Sequence, residues 1–289
     1  MAVQTKIRAA VLGASGYTGA DLIRLAARHP NIVLTALIAR GHAGQPLAHV
    51  FPHLATLDLP ALVTSDEVDW GSIDVAFCGL PHATAHSEIA KLPERVKVID
   101  MSADFRLRDP AVYAEWYGGE HGAPHLLKGA VYGLTEHYAQ EIKTARLVAC
   151  PGCYPTAVLL ALLPLTKGKL IKSDGVIIDA KSGVSGAGRT LKQNILFSEA
   201  GEGLSPYGIG NHRHVSEIEQ ELSVAPARAD EVAEARERDL SGRRALLEEC
   251  VSGAGIGGRA HGVLWAEPDE RPPGLEEARE FGVLDLRRA

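Results

Sequence analysis

Cys153 follows Pro151-Gly152 and precedes Tyr154-Pro155-Thr156, between the apolar run Leu147–Ala149 and an apolar stretch that reaches Leu163. The first run predicts a strand end, Pro151-Gly152 a turn, and Pro155 suits a first helical turn, where its missing N–H has no bond to lose. Cys153 thereby falls at or just before a helix N-terminus, where unbonded N–H groups and the macrodipole favour a thiolate. A cysteine nucleophile needs that setting; a free cysteine elsewhere is more often a packing residue. Cys150 and Cys153 also spell C-x-x-C, a dithiol spacing. No second such pair completes a zinc ribbon, and a thioredoxin-like domain leaves the glycines near the N-terminus unexplained.

Further along, Tyr207–Glu221 carries His212, His214 and Glu217 just ahead of a helical pattern. His-x-His is a metal-ligand spacing, but no third ligand stands at a suitable distance along the chain, so no metal is expected. A histidine oriented by Glu217 is instead a general acid/base for a thiol. His212 and His214 read as facing the same side of an extended segment. Between the cysteine and these histidines, Lys181-Ser-Gly-Val-Ser-Gly-Ala-Gly-Arg189 has a cation at each end of a Gly/Ser run. Amides, hydroxyls and cations together make an anion cradle.

These groups need a scaffold. Lys6–Leu12 reads as a buried strand, Gly13-Ala-Ser-Gly-Tyr-Thr-Gly19 as a loop, Ala20–Arg28 as a helix stopped by His29-Pro30-Asn31, and Ile32–Ile38 as a second strand. Strand, glycine loop, helix and strand form the βαβ context of a dinucleotide site, although the spacing is G-x-x-G-x-x-G. Gly13, Ser15, Gly16, Tyr17, Thr18 and Gly19 are the expected pyrophosphate-binding residues at the helix N-terminus. An NAD site places Asp or Glu after the second strand to hold the ribose hydroxyls. Here that strand ends at Ala39-Arg40 with no carboxylate, which suits a 2′-phosphate and therefore NADP(H). Further βα units at Asp74–Gly79 and Val96–Asp100 put their polar turns on one edge of a parallel sheet, where open α/β sheets bind ligands. Cys78 reads as inert core, and His82 receives no chemistry.

The composition is that of an ordinary globular protein, with 46% hydrophobic and 23% charged residues in 289. A net charge of −6 gives no reason to expect nucleic acid or an acidic membrane, and no apolar run is long enough to span a bilayer. The N-terminus runs straight into a strand pattern, leaving no signal peptide. Cys78, Cys150, Cys153 and Cys250 make no disulfide framework, so a reducing cytoplasm is expected.

A thiolate, a nicotinamide cofactor, an anion cradle and an acid/base histidine point to one reaction. The thiol attacks an acyl phosphate, phosphate leaves, hydride reduces the thioester, and the hemithioacetal collapses to an aldehyde. Gly13–Gly19, Asp100-Met-Ser-Ala-Asp-Phe-Arg-Leu107, Val131-Tyr-Gly-Leu-Thr-Glu136, Pro151–Thr156, Lys181–Arg189 and His212-Arg-His-x-x-Glu-Ile218 resemble, in order, the N-acetyl-γ-glutamyl-phosphate reductase family. That family acts in arginine biosynthesis and belongs to the aspartate-semialdehyde dehydrogenase group. The resemblance implies an α/β fold: a Rossmann-type NADP-binding domain (1–150), then an α+β, glyceraldehyde-3-phosphate-dehydrogenase-like substrate domain (151–225) that is incomplete. It implies Cys153 as nucleophile, His212 and His214 as acid/base, and a homodimer or homotetramer. Ser185 and Gly186 are assigned to the cofactor, and Arg106, Lys181, Ser182 and Arg189 to the small-molecule acyl phosphate. Two other readings stay open: a reductase of carrier-linked aminoadipate phosphate in lysine synthesis, and an inactive NADP-binding fragment.

The resemblance stops near Ala225. Residues 226–289 hold 10 of the 20 arginines and none of the 10 lysines, and lack Asn, Gln, Thr, Tyr and Met. Asp230–Glu249 could form a charged helix, whereas Gly253–Gly258 and Pro272-Pro273 break any continuous pattern. This tail reads as an out-of-frame or otherwise replaced C-terminus, mostly poorly ordered, leaving the substrate pocket short of a wall.

Overall fold

Strand β1 (Ile7–Leu12) is apolar on successive residues from Ala9 to Leu12 because both of its faces are covered there. Ala10 and Leu12 enter one buried cluster with Cys78, Ile89 and Val98, while Val11 enters another with Ile23, Leu37 and Leu62. A strand buried on one face only would alternate instead. Strands β2 (Ile32–Ile38), β3 (Leu62–Val63), β4 (Val75–Cys78), β5 (Lys97–Asp100), β6 (Ala130–Tyr132) and β7 (Leu147–Ala149) complete the sheet. This is a computed structural model describing residues 6–172, 175–224 and 262–265.

The seven strands are parallel, in the order β3-β2-β1-β4-β5-β7-β6. Strand order reverses at β1 and β4, which pair with Leu12 opposite Cys78. The chain leaves these two strands in opposite directions, opening a crevice at their C-terminal ends, the ligand-binding edge of such sheets. This is a parallel-sheet, Rossmann-like α/β fold.

Helix α1 (Tyr17–Ala26) follows β1 and buries Gly19, Ala20, Ile23 and Ala26, a spacing that lays one helical face on the sheet. Short helices α2 (Ala85–Ile89), α3 (Pro110–Tyr117), α4 (Pro124–Leu127) and α5 (Thr135–Thr144) fill the later connections. Helix α3 starts where the Asp109 carboxylate accepts from the Ala111 N–H, and ends at Gly118 with φ of 76°.

Helix α6 (Cys153–Lys167) starts at Cys153 itself and buries Pro155, Val158, Leu159, Leu162, Leu163 and Thr166. Helices α7 (Phe197–Ala200) and α8 (His214–Val224) come later in the chain. Strand β8 (Ile177–Ala180) pairs antiparallel with β9 (Gly262–Trp265). That pairing places four residues of the atypical tail in a strand, within the stretch expected to be mostly without order. The expected helix Asp230–Glu249, the breaks at Gly253–Gly258 and Pro272-Pro273, and Cys250 lie outside the described residues.

The chain forms two compact units. One holds the residues up to Gly152 together with Ala187–Glu217; the other holds Cys153–Gly186 and the described residues from Ile218 on. Residues Ala187–Glu217, expected in the stretch 151–225, thus cluster with the parallel sheet. Among the described residues, no helix is long and apolar enough to cross a membrane.

Candidate active site

The loop from β1 to α1 is shaped by glycine. Gly13 has φ of 85°, and a Cβ there would meet the Gly79 carbonyl oxygen at 2.6 Å; one on Gly19 would meet the Gly13 carbonyl oxygen at 2.4 Å. A side chain at either position would therefore push the loop off β4 or the helix off the loop. Gly16 is the N-cap of α1; no side chain caps it and no acidic residue lies in the first turn. Small residues at an uncapped helix start, in the crevice between β1 and β4, fit the pyrophosphate of a dinucleotide. Tyr17, Thr18 and Gly19 form the first turn, and Arg40 opens an exposed 3₁₀ turn (Arg40–His42) beyond β2.

A second cluster surrounds the turn that leads into Cys153. Glu217, 1% exposed, accepts from the Gly152 N–H at 2.8 Å and the Tyr132 hydroxyl at 2.7 Å, both on Oε1; Arg106 Nη1 lies 3.5 Å from its Oε2. Arg106 also donates from Nε to the Cys150 carbonyl at 2.8 Å and from Nη2 to the Met101 carbonyl at 3.2 Å. One ion pair thus grips the turn by the carbonyl of Cys150 and the amide of Gly152. His214 lies against the same turn. A Cβ on Gly152 would sit 2.5 Å from His214 Nε2 and 2.9 Å from Arg106 Nη1, so the imidazole packs where only glycine fits.

His212 and His214 come together with ring centroids 4.8 Å apart, but not on an extended segment. The chain turns between them, His214 is the first residue of α8, and its N–H donates to His212 Nδ1 at 3.2 Å. The helix start, not a strand-like period, sets their relation. Burial chiefly, then Arg106 and His212, pushes the His214 imidazole down to about 3. His212 is also lowered, by burial first and then by Arg213. A neutral imidazole is the form that accepts a proton. The two cysteines differ sharply: burial pushes the half-buried Cys150 thiol up to about 11, whereas Cys153 is exposed. Cys78 is fully buried, as expected of core.

The run 181–189 is divided between the two units. In one, Lys181 pairs with Asp179, Ser182 Oγ donates to the Gly183 carbonyl at 3.1 Å, and Ser185 and Gly186 form part of a 3₁₀ turn (Val184–Ala187). In the other, Arg189 reaches the glycine loop and donates from Nη1 to the Ser15 carbonyl at 2.8 Å.

Several contributors carried no assigned role in the sequence. Tyr132, at the end of β6, holds Glu217; Arg213 sits with its guanidinium carbon 5.2 Å over the Tyr117 ring and Nη1 3.1 Å from His82 Nε2. Asp104, fully buried, accepts from the Ala83 N–H at 2.8 Å, the His86 N–H at 3.1 Å and the Tyr113 hydroxyl at 2.8 Å. It thereby holds Ala83 at φ of 60°, a strained left-handed conformation for alanine, in the loop that follows β4. Tyr132 and Asp104 lie inside the motifs at 131–136 and 100–107, yet only their long-range partners reveal what they do.

Two family models match the chain. One, described as the semialdehyde dehydrogenase NAD binding domain, covers residues 8–145, and the semialdehyde dehydrogenase dimerisation domain covers 153–233. Among curated relatives, the N-acetyl-gamma-glutamyl-phosphate reductase of Afipia carboxidovorans is 54% identical over 231 residues, covering 78% of this chain and 65% of that protein. The enzyme of the same name from Rhodospirillum rubrum is 55% identical over 228 residues, covering 77% and 65%. A probable chloroplastic one from Oryza sativa is 56% identical over 220 residues, covering 76% and 53%. The chain therefore spans between half and two-thirds of the length of these relatives. Among solved structures, aspartate semialdehyde dehydrogenase II from Vibrio cholerae aligns with a TM-score of 0.45 at 17% identity, over 64% of this chain and 49% of that one.

Proposed function

The chain belongs to the semialdehyde dehydrogenase family, and from that membership we propose that it reduces N-acetyl-L-glutamyl 5-phosphate to N-acetyl-L-glutamate 5-semialdehyde. NADPH is the reductant and phosphate the second product. The observation that carries this reading is geometric: the imidazole of His214 packs on Gly152, the residue that precedes Cys153, with His212 beside it.

The chain's own groups divide the work as follows. Cys153, exposed at the start of α6, provides the sulfur. Loss of its proton to a histidine leaves a thiolate that attacks the acyl carbon; the C–S bond forms as the bond to phosphate breaks, giving a thioester. His214 takes that proton, with His212 beside it, and returns one as the hemithioacetal collapses and the sulfur leaves. Glu217, Tyr132 and Arg106 keep the turn in one geometry throughout, so that the thiol need not be ordered during reaction. NADP(H) would be held by Gly13–Gly19 with Arg40 and, when bound, would supply the hydride; Ser185 and Gly186 are assigned to the same cofactor from the motif they belong to. Lys181 and Ser182 are assigned to the substrate phosphate. The substrate is a small molecule, and the partner is a second copy of this chain, through the part matched as a dimerisation domain. The compartment is the cytoplasm.

The test is the reverse reaction: phosphate-dependent reduction of NADP⁺ by N-acetylglutamate semialdehyde, with Cys153→Ser as control. Activity abolished by that substitution is expected. Activity that survives it would overturn the thioester route. A folded wild-type chain that binds NADPH without turnover would identify an NADP-binding fragment instead.

A further inference from the structure

Arg189 ends the Gly/Ser run assigned to the substrate phosphate, but its contacts are with the glycine loop. Nη1 donates to the Ser15 carbonyl at 2.8 Å across 174 residues of sequence. The guanidinium carbon lies 4.9 Å from the centre of the Phe51 ring, which is itself 6.5 Å from the Tyr17 ring. Ser15 and Tyr17 flank Gly16, the N-cap of α1. A cation from a distant segment is therefore laid across the loop whose shape fits a dinucleotide, and two independent contacts, one polar and one over an aromatic face, hold it there.

The chemistry of the group fits that place. Arginine carries five N–H donors in a rigid plane, and Ser15 takes one of them. The cation–π contact with Phe51 and the bond to Ser15 together hold the guanidinium in place and leave further N–H donors for other acceptors. Among the described residues, no carboxylate pairs with Arg189. An arginine so fixed, at an uncapped helix start with no acid in the first turn, suits a phosphate, which it can bind by two parallel hydrogen bonds.

We propose that Arg189 is a ligand for a phosphate of the dinucleotide rather than of the acyl-phosphate substrate. The proposal rests on the NADP(H) reading above and makes the cofactor site composite: the loop comes from the N-terminal βαβ unit, its covering cation from the chain beyond Cys153. The 2′-phosphate and the pyrophosphate share the required chemistry, and the two nicotinamide dinucleotides distinguish them.

Wild type, Arg189→Ala and Arg189→Lys are titrated with NADPH and with NADH by calorimetry at fixed ionic strength, without substrate, after circular dichroism has matched their folds. Arg189→Ala is expected to weaken NADPH binding by about 10- to 100-fold, the range for losing a hydrogen bond to a charged group. Arg189→Lys, which keeps the charge but not the fork, should recover only part of the loss. Weakening of NADPH alone assigns Arg189 to the 2′-phosphate, and equal weakening of both dinucleotides assigns it to the pyrophosphate. Unchanged NADPH affinity, or a defect confined to the KM for phosphate in the reverse reaction, overturns the proposal. A wild-type chain that binds neither dinucleotide overturns the NADP(H) reading as well.

Discussion

Gly152 is the residue on which the candidate chemistry turns. The hydrogen replacing its side chain is what allows His214 and Arg106 to lie against the backbone just before Cys153. Gly152→Ala should leave the sheet intact and displace the imidazole by a good fraction of an ångström. Misplacement on that scale costs about 10²-fold in rate, so kcat should fall by that order while NADPH affinity, governed elsewhere, stays within about twofold. An alanine variant with normal kcat would remove His214 from the reaction. The protonation of His214 gives a second check. Its imidazole titrates near 3 instead of 6.5, so NMR on the free protein should find it neutral at pH 5, where an ordinary histidine is mostly charged.

At the scale of elements, the sheet and α1 carry the framework and the loops carry the groups that act. Ile23 is fully buried under β1 and β2 among Val11, Leu37 and Leu62. Truncating it to alanine should cost about 2–5 kcal/mol in urea-induced unfolding, the range for such a cavity in a close-packed core. A loss well under about 1 kcal/mol would mean that the helix can settle into the gap. Helix α6 shows why the position of Cys153 is legible in the sequence. Proline in its first turn and apolar residues down one face mark both where the helix starts and how it lies. The segment 212–214 is less legible, because a helix start and an extended segment place alternate residues differently, and the hydrogen bond that the His214 amide donates to His212 Nδ1 decides between them.

At the scale of the molecule, two properties lead to measurements. The stretch 191–209 leaves Leu191, Phe197, Leu204 and Ile209 largely exposed, with Phe197 at 93%, inside the part matched as a dimerisation domain. Isolated chains rarely leave so much apolar surface uncovered. Phe197→Asp should therefore shift the protein towards monomer in sedimentation velocity at micromolar concentration; an unchanged distribution would exclude this stretch from the interface. The second property is the dependence of stability on pH. His214 is held neutral down to about 3, so the unfolded chain binds its proton first, and stability is lost as pH falls from 6.5 through 3. Asp100, buried beside Ser102, has the opposite sign: burial raises it from 3.8 to about 6, and its stabilisation is lost as pH rises through that window. His214→Gln removes the first effect alone. Its melting temperature relative to wild type should climb steadily as pH is lowered from 6.5 to 4, and a flat difference would show that His214 titrates normally.

The sequence by itself determined the parallel α/β sheet, the glycine loop on its edge and the helix that begins at Cys153. Each is written in neighbouring residues, through apolar runs covered on two faces, glycines at a tight turn, and a proline in a first helical turn. Tertiary structure alone decided which distant groups meet. Glu217 and Tyr132 hold the amide of Gly152, Arg106 takes the carbonyl of Cys150, and Arg189 leaves the run it belongs to for the glycine loop. These partners are separated by tens to more than a hundred residues, and no local period encodes such a pairing. It is fixed by which backbone groups must be satisfied where the strands end, and by which charged side chains the fold brings within reach of them.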